Sequence, residues 1–193
     1  MYPQYVEVEG KKYKINTDFR VAIECNRIAE DETIGDLERS LGIIYTLFGE
    51  EGINTPEHYE KLLEMAKKYL LCGKEYDGET NEKPDMDFEQ DIALIEASFM
   101  SDYKIDLENT QMHWWKFMAL MNGLSYSELG GGCVLNNVRM ARRKDPSTIK
   151  DAKARAEFIE YQKSIALEKD KAENNLTKEQ KESMERLNKI IGI

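Results

Sequence analysis

Histidine and cysteine, the residues that most often carry metal and nucleophile chemistry, are scarce in this chain. Its 193 residues include two histidines, His58 and His113, and three cysteines, Cys25, Cys72 and Cys133. The histidines fall in different expected helices, and neither has a Cys or a second His three or four residues away. A zinc site needs about four ligands, usually in local pairs, so no metal site is expected. His58 reads as a surface residue and His113 as one on the rim of a packed helix. Three scattered cysteines do not make the even set of a disulfide framework. Reduced, partly buried thiols are expected, which points to a cytoplasm. No run of about 18 apolar residues exists that would span a membrane. The start, MYPQYVEVEG, has no basic segment followed by an apolar stretch, so it is not read as a signal peptide.

Positive charge is also short. Lys and Arg number 27 against 37 Asp and Glu, for a net charge of -10. Such a chain repels a phosphate backbone, so nucleic acid is not an expected partner. The same charge favours solubility and a basic partner. Catalytic signatures are missing as well. There is no Gly-x-Ser-x-Gly, and Gly130-Gly131-Gly132 lacks the Gly-Lys-Ser/Thr ending of a phosphate loop. The triple glycine reads as a break in a helix. Paired acids such as Glu50-Glu51, and the run Asp85, Asp87, Glu89 and Asp91, can do acid–base work when burial splits their pKa values. Here they sit beside Gly and Pro or at a helix start, where the dipole stabilises them, and the run lacks the spacing of a calcium loop. No catalytic residue and no cofactor is expected.

What is present is mostly helical patterning. Tyr5 to Val8 and Tyr13 to Ile15 flank Glu9-Gly10-Lys11 and read as a β-hairpin. An isolated hairpin is marginal in water, so this one must pack on something or pair with another chain. Asn16 or Thr17 can cap a first helix carrying Phe19, Val21, Ala22, Ile23 and Ile28. Thr33 can cap a second, stopped near Gly49, and Thr55-Pro56 opens a third that ends near Gly73. Residues 74–86 are the clearest loop. Asp87 with Gln90 resembles a capping box for a helix carrying Ile92, Leu94, Ile95, Phe99 and Met100. Asn109 or Thr110 caps the segment QMHWWKFMALMN. Ser125 and Glu128 suggest another helix start that the glycines interrupt, with helix resuming at Val134. From Asp145-Pro146 the chain is rich in Lys, Glu and Ala, with sparse apolar positions. Thr177 with Gln180 caps a last helix carrying Met184, Leu187, Ile190 and Ile191. The expected fold is mainly α: a helical domain with a short N-terminal β-hairpin and peripheral C-terminal helices. The expected organisation is a hairpin-plus-helix core over residues 1–144 and a charged helical appendage over 145–193.

Two features bear on binding. Met112, Trp114, Trp115, Phe117, Met118, Ala119, Leu120 and Met121 cover nearly the whole circumference of one helix. Trp114, Phe117, Met118 and Met121 form one stripe; Met112, Trp115 and Ala119 form the other. Such a helix is central in a core, which is the default, or has a second face covered by a partner. Trp and Met are common at partner surfaces, and adjacent helix residues point about 100° apart, so Trp114 and Trp115 are expected to split between core and edge. The second feature is the basic cluster Arg139, Arg142, Arg143, Lys144, Lys150, Lys153 and Arg155. It can hold an acidic partner, hold the acidic half of the same protein, or be a solvated helix face. The candidate partner-binding residues are Trp114, Trp115, Phe117, Met118, Met121, Arg139, Arg142 and Arg143.

The segments YKINTDFRVAIE, MDFEQDIALIEASFMSDYKIDL and HWWKFMALMNGL, in that order, resemble the bacteriophage gene-product-fifteen family. The resemblance runs from about Tyr13 to about Lys163, is weak through 33–80, and is most specific at His-Trp-Trp. Residues 124–138 depart from the family pattern through the triple glycine, and residues 170–193 find no match. That family is encoded in the tail modules of siphophages and their prophages, between the tail-tube and tape-measure genes. The resemblance implies a tail assembly chaperone in the host bacterial cytoplasm, with the tape-measure and tail-tube proteins as partners and self-association possible. It implies no catalysis. A structural tail protein retained in the virion is the alternative, and an enzyme is a distant third.

Overall fold

A computed structural model of the protein describes residues 1–74, 83–127 and 131–168. Glu9 and Gly10 both take positive φ, 50° and 82°. That pair makes the two-residue turn whose twist matches a hairpin. It joins β1 (Tyr5–Val8) to β2 (Lys11–Lys14), antiparallel, with Tyr5 opposite Lys14 and Val8 opposite Lys11. Among the described residues no other sheet forms. The remaining elements are α1 (Phe19–Glu30), α2 (Asp36–Ile53), α3 (Tyr59–Leu70), α4 (Ile92–Tyr103), α5 (Trp114–Asn122), α6 (Val134–Arg143) and α7 (Ala152–Ile165). The fold is mainly α with an N-terminal hairpin.

The chain divides into two compact units: Met1–Glu82 with Ile95–Ser125, and Lys83–Leu94 with Tyr126–Ile193. This is not the division expected after residue 144. Helix α6 belongs with α7 because their polar groups interlock. Gln162 Nε2 donates to the Ala141 and Lys144 carbonyls, both at 2.7 Å, and so satisfies acceptors that the end of α6 leaves open.

The first unit is built around stacked rings. Phe117 lies 4.5 Å from Phe19, 5.2 Å from Phe99 and 5.7 Å from Trp114, ring centre to ring centre. All four side chains are buried. Offset stacks of this kind add to the area they bury. The N-terminal starts of α1 and α5 are held together by a single antiparallel bridge between Asp18 and His113. Phe19 N–H donates to the Met112 carbonyl at 2.9 Å, and Trp114 N–H to the Thr17 carbonyl at 2.8 Å. Each bridge residue also caps its helix: Asp18 accepts from Arg20 N–H, and His113 Nδ1 accepts from Trp115 N–H at 3.0 Å. The caps expected at Asn16 or Thr17 and at Asn109 or Thr110 are therefore displaced. The bridge fixes extended backbone immediately before each helix, and only the bridge residues themselves reach the open amides.

Three further expectations are corrected. Helix α2 starts after Gly35, not Thr33; Glu38 returns to the Gly35 amide at 3.1 Å. It does not stop at Gly49 but bends there (φ 66°, ψ -158°) and continues to Ile53. A residue with a Cβ would be strained at that bend. Third, His58 is not on the surface. It is buried, and its Nδ1 shares a 2.6 Å hydrogen bond with the buried Tyr13 hydroxyl. The Asp87 reading holds in half: Asp87 Oδ1 accepts from the Glu89 and Gln90 amides, but Gln90 turns elsewhere. Gly73 (φ 79°) follows the end of α3, as expected. Most of the expected loop, the 128–130 stretch and the last expected helix lie outside the described residues.

Candidate partner-binding surfaces

The two tryptophans of α5 do the same job from two sides. Trp114 Nε1 donates to the Leu70 carbonyl and Trp115 Nε1 to the Tyr69 carbonyl, each at 2.9 Å. These are consecutive carbonyls in the last turn of α3, where the helix runs out of donors of its own; the Tyr69 carbonyl also accepts from Cys72 N–H at 3.0 Å in the turn that follows. Trp114 is buried beneath them, while Trp115 is half-buried. A Cβ at Gly73 would sit 3.0 Å from Trp115 Cη2, so the backbone of the α3 stop is pressed against the indole. The split between the tryptophans follows the expectation drawn from their 100° separation.

Of the stripe Trp114, Phe117, Met118 and Met121, only Met118 is half-buried; the other three face the core. On the second stripe Met112 is buried and Ala119 exposed. The apolar surface left at this corner gathers around Trp115 instead. There a groove of about 250 Å³ is lined by Pro3, Tyr5, Val6, Ile15, Met65, Tyr69, Gly73 and Trp115, with Lys68 and Glu7 at its polar side. His113 closes the corner: its Nε2 lies 2.9 Å from the Pro3 carbonyl, and the Tyr2 ring stacks on it at 5.0 Å. A larger cleft of about 940 Å³ runs past the Gly49 bend, between residues 14–18, 45–49 and 111–113. Its lining mixes Lys14, Asp18 and Gln111 with Tyr45 and Met112.

Sequence reasoning missed the clamp that holds this unit's return segment. Arg20 lies over the Phe19 ring at 4.5 Å and donates to the Leu107, Glu108 and Thr110 carbonyls. An arginine directly after an expected cap was the signal available. Burial raises the Tyr69 hydroxyl well above its ordinary pKa and the Cys25 thiol to about 12.

In the second unit the basic cluster turns inward. Arg142, 9 % exposed along its side chain, forms a two-point pair with Asp91, 1 % exposed, at 2.6 and 2.8 Å. It also donates to the Asp85 carbonyl at 3.0 Å and the Ile165 carbonyl at 2.7 Å. Arg139 and Arg143 both bind the Asp85 carboxylate. Gln90 completes the assembly, donating to the Ala166 carbonyl and accepting from Glu168 N–H. Of the readings open for the cluster, binding an acidic segment of the same protein is the one the geometry bears out for these three arginines. Lys144, Lys153 and Arg155 stay on α7's side: over the Phe158 ring, near Glu157, and on the Ile149 carbonyl.

A family model described as Bacteriophage Gp15 protein matches residues 2–167. The chain belongs to that family. The match spans residues of both units, including 33–80, where the resemblance is weak, and 124–138, where the triple glycine departs from the expected pattern, and it extends beyond the resemblance at each end. Neither a curated protein nor a solved structure matches the chain. Among the described residues no helix is long and apolar enough to cross a membrane.

Proposed function

We propose that this family member is a phage tail assembly chaperone, which binds the tape-measure protein and recruits tail-tube subunits in the host cytoplasm. The observation that carries the reading is the family match across residues 2–167. The mechanism is reversible binding without catalysis. A tape-measure protein is long, helical and prone to aggregate before assembly, so a partner that shields it needs accessible apolar groups. The groove at Trp115 and the half-buried Met118 offer them. The net charge of -10 keeps the protein soluble while such groups are accessible. With Arg139, Arg142 and Arg143 engaged by Asp85 and Asp91, apolar contact is the main source of affinity and charge adjusts partner choice.

Co-expression with the neighbouring tape-measure protein, followed by pull-down at low and high salt, tests this. A complex that survives high salt is expected. Its complete loss at about 0.5 M salt would mean that exposed ion pairs dominate, since screening is then strong. No complex at either salt, together with a fixed copy number of the protein in purified virions by mass spectrometry, would instead make it a structural tail component.

A further inference from the structure

The hairpin has an edge that the rest of the fold leaves unused. Its two-residue turn makes Val8 and Lys11 a hydrogen-bonded pair, and antiparallel alternation repeats that pairing at Val6 and Tyr13. Ile15 N–H donates to the Gln4 carbonyl at 2.9 Å, which continues the same parity. Tyr5 and Glu7 therefore direct their N–H and C=O groups away from β2. Among the described residues, no backbone bond outside the hairpin ladder reaches either residue. Tyr5 is 57 % exposed. A row of open backbone groups is a template for another strand.

The Trp115 groove lies along this edge, since Pro3, Tyr5, Val6 and Glu7 form one of its walls. The rest of its lining is apolar apart from Lys68 and includes Met65, Tyr69 and Trp115. A strand laid against β1 would send alternate side chains into the groove and out to solvent. The charge here runs against the chain as a whole. Lys68 lines the groove, and Lys14 and Lys12 stand opposite Tyr5 and Glu7 in the register. None of the three ammonium groups has an ion-pair partner among the described residues. Glu7 is the one carboxylate in the lining. In a protein of net charge -10, Lys68 in the groove and the lysines of the adjoining strand outnumber Glu7, which favours an acidic occupant.

We propose that the outer edge of β1 docks an extended, acidic segment of a partner protein, which adds a third strand to the hairpin and places one large apolar side chain in the Trp115 groove. The proposal rests on the reading that this protein works by binding other proteins. It specifies the conformation and chemistry of what is bound.

The test pans the immobilised full-length protein against a messenger-RNA-displayed library of random dodecapeptides. Enriched peptides are expected to carry one large aliphatic or aromatic residue with Asp or Glu within two positions. N-methylating amides of such a peptide one at a time should weaken binding about tenfold at alternate positions only, because a strand bonds through every second residue. Glu7→Pro, which removes an outward N–H, should weaken binding similarly, while Glu7→Gln should not, and Lys12→Pro on the far edge should weaken it no more than Lys12→Gln does. The N-methyl series uses the wild-type protein, so it decides the matter even if Glu7→Pro misfolds. No enrichment, or enriched peptides with apolar residues at helical spacing that tolerate N-methylation, would overturn the proposal. So would a wild-type dimer that Glu7→Pro abolishes, since the edge would then serve a second copy. Pull-down of the tape-measure protein with Glu7→Pro separates the two readings. A complex kept by a folded variant removes the edge proposal and leaves the chaperone reading. No complex with wild type removes the chaperone reading, and the peptide series still decides the edge.

Discussion

The two units solve the burial problem with different materials. In the first, Phe19, Phe99, Trp114 and Phe117 stack in the interior, and buried polar side chains such as Trp114, Tyr13 and His58 are satisfied by neutral partners, a carbonyl or each other. In the second, the apolar core of the described residues is thin: Cys133, Leu135, Val138 and Leu167 are the buried apolar residues among them, and no residue of α7 is buried. An arginine takes the place where a further apolar side chain would sit. Leu135, Val138 and Arg142 follow helical spacing along one face of α6, so the guanidinium enters the interior and is compensated there by Asp91 and two carbonyls. The lesson is that a charge on an apolar stripe makes its unit depend on one partner in a way that an aromatic stack does not.

The largest expected effect comes from breaking the stack. Phe117→Ala should destabilise the first unit by about 3–5 kcal/mol, through lost burial and the cavity left between three rings. Both tryptophans belong to that unit, so urea unfolding followed by their fluorescence reports it selectively. A loss below about 1 kcal/mol would mean that the neighbours collapse into the gap.

In the second unit the comparable change should be reversible by a second one. Arg142→Met leaves Asp91 buried without its counter-ion and should cost about 3 kcal/mol or more. Adding Asp91→Leu should return most of it, because an apolar pair of similar size replaces an ion pair at little net cost. Hydrogen exchange across residues 134–165 measures both. If the double variant exchanges as fast as the single one, the carbonyls of Asp85 and Ile165 depend on the guanidinium more than Asp91 does.

A smaller effect separates the two tryptophans. Trp115→Phe removes one hydrogen bond, to the Tyr69 carbonyl, and should cost about 1 kcal/mol. Trp114→Phe removes the matching bond to Leu70 within the core and leaves that carbonyl with less access to water, so it should cost about twice as much. Equal costs would mean that the exposure of Trp115 does not lessen its structural share.

How much of this was legible beforehand follows from the same contrast. Helical periodicity carried the element order, and the hairpin showed in its turn residues. The tryptophan split was legible because it depends only on helix geometry. The caps were misplaced because Asp18 and His113 are selected by a bridge between segments about 95 residues apart, which no local pattern records. His58 was placed outside because its partner, Tyr13, lies 45 residues away. Composition suggested a boundary after residue 144, and it could not show that Arg142, Gln162 and Gln90 bond to segments distant in the chain. Polar residues read from composition look like surface. Only the position of Arg142 on the stripe of Leu135 and Val138 hinted otherwise.

The smallest effect concerns acid. Among the described residues, six carboxyls, of which Glu9, Asp106 and Asp145 are exposed and Glu24, Asp31 and Asp102 partly so, sit below their ordinary pKa, five in the first unit and Asp145 in the second. Unfolded Asp and Glu titrate near about 4, and the folded values are lower. The stability they contribute is therefore complete above about pH 4 and is lost as pH falls through the depressed folded values. Because solvent screens these groups, the loss should be modest. Salt should divide them into two classes. Glu9 and Glu24 are lowered chiefly by hydrogen bonds from Lys61 and Arg27, which carry charge. Asp31, Asp102, Asp106 and Asp145 are lowered chiefly by neutral donors on Thr33, Ser125, Asn109 and Ser147. Carboxyl-carbon NMR titrations at low salt and at about 0.5 M salt should therefore show Glu9 and Glu24 moving back toward ordinary values, with the four aspartates nearly unmoved. Aspartates that relax with added salt as far as the two glutamates do would show that long-range charge, rather than turn and cap hydrogen bonds, holds them down.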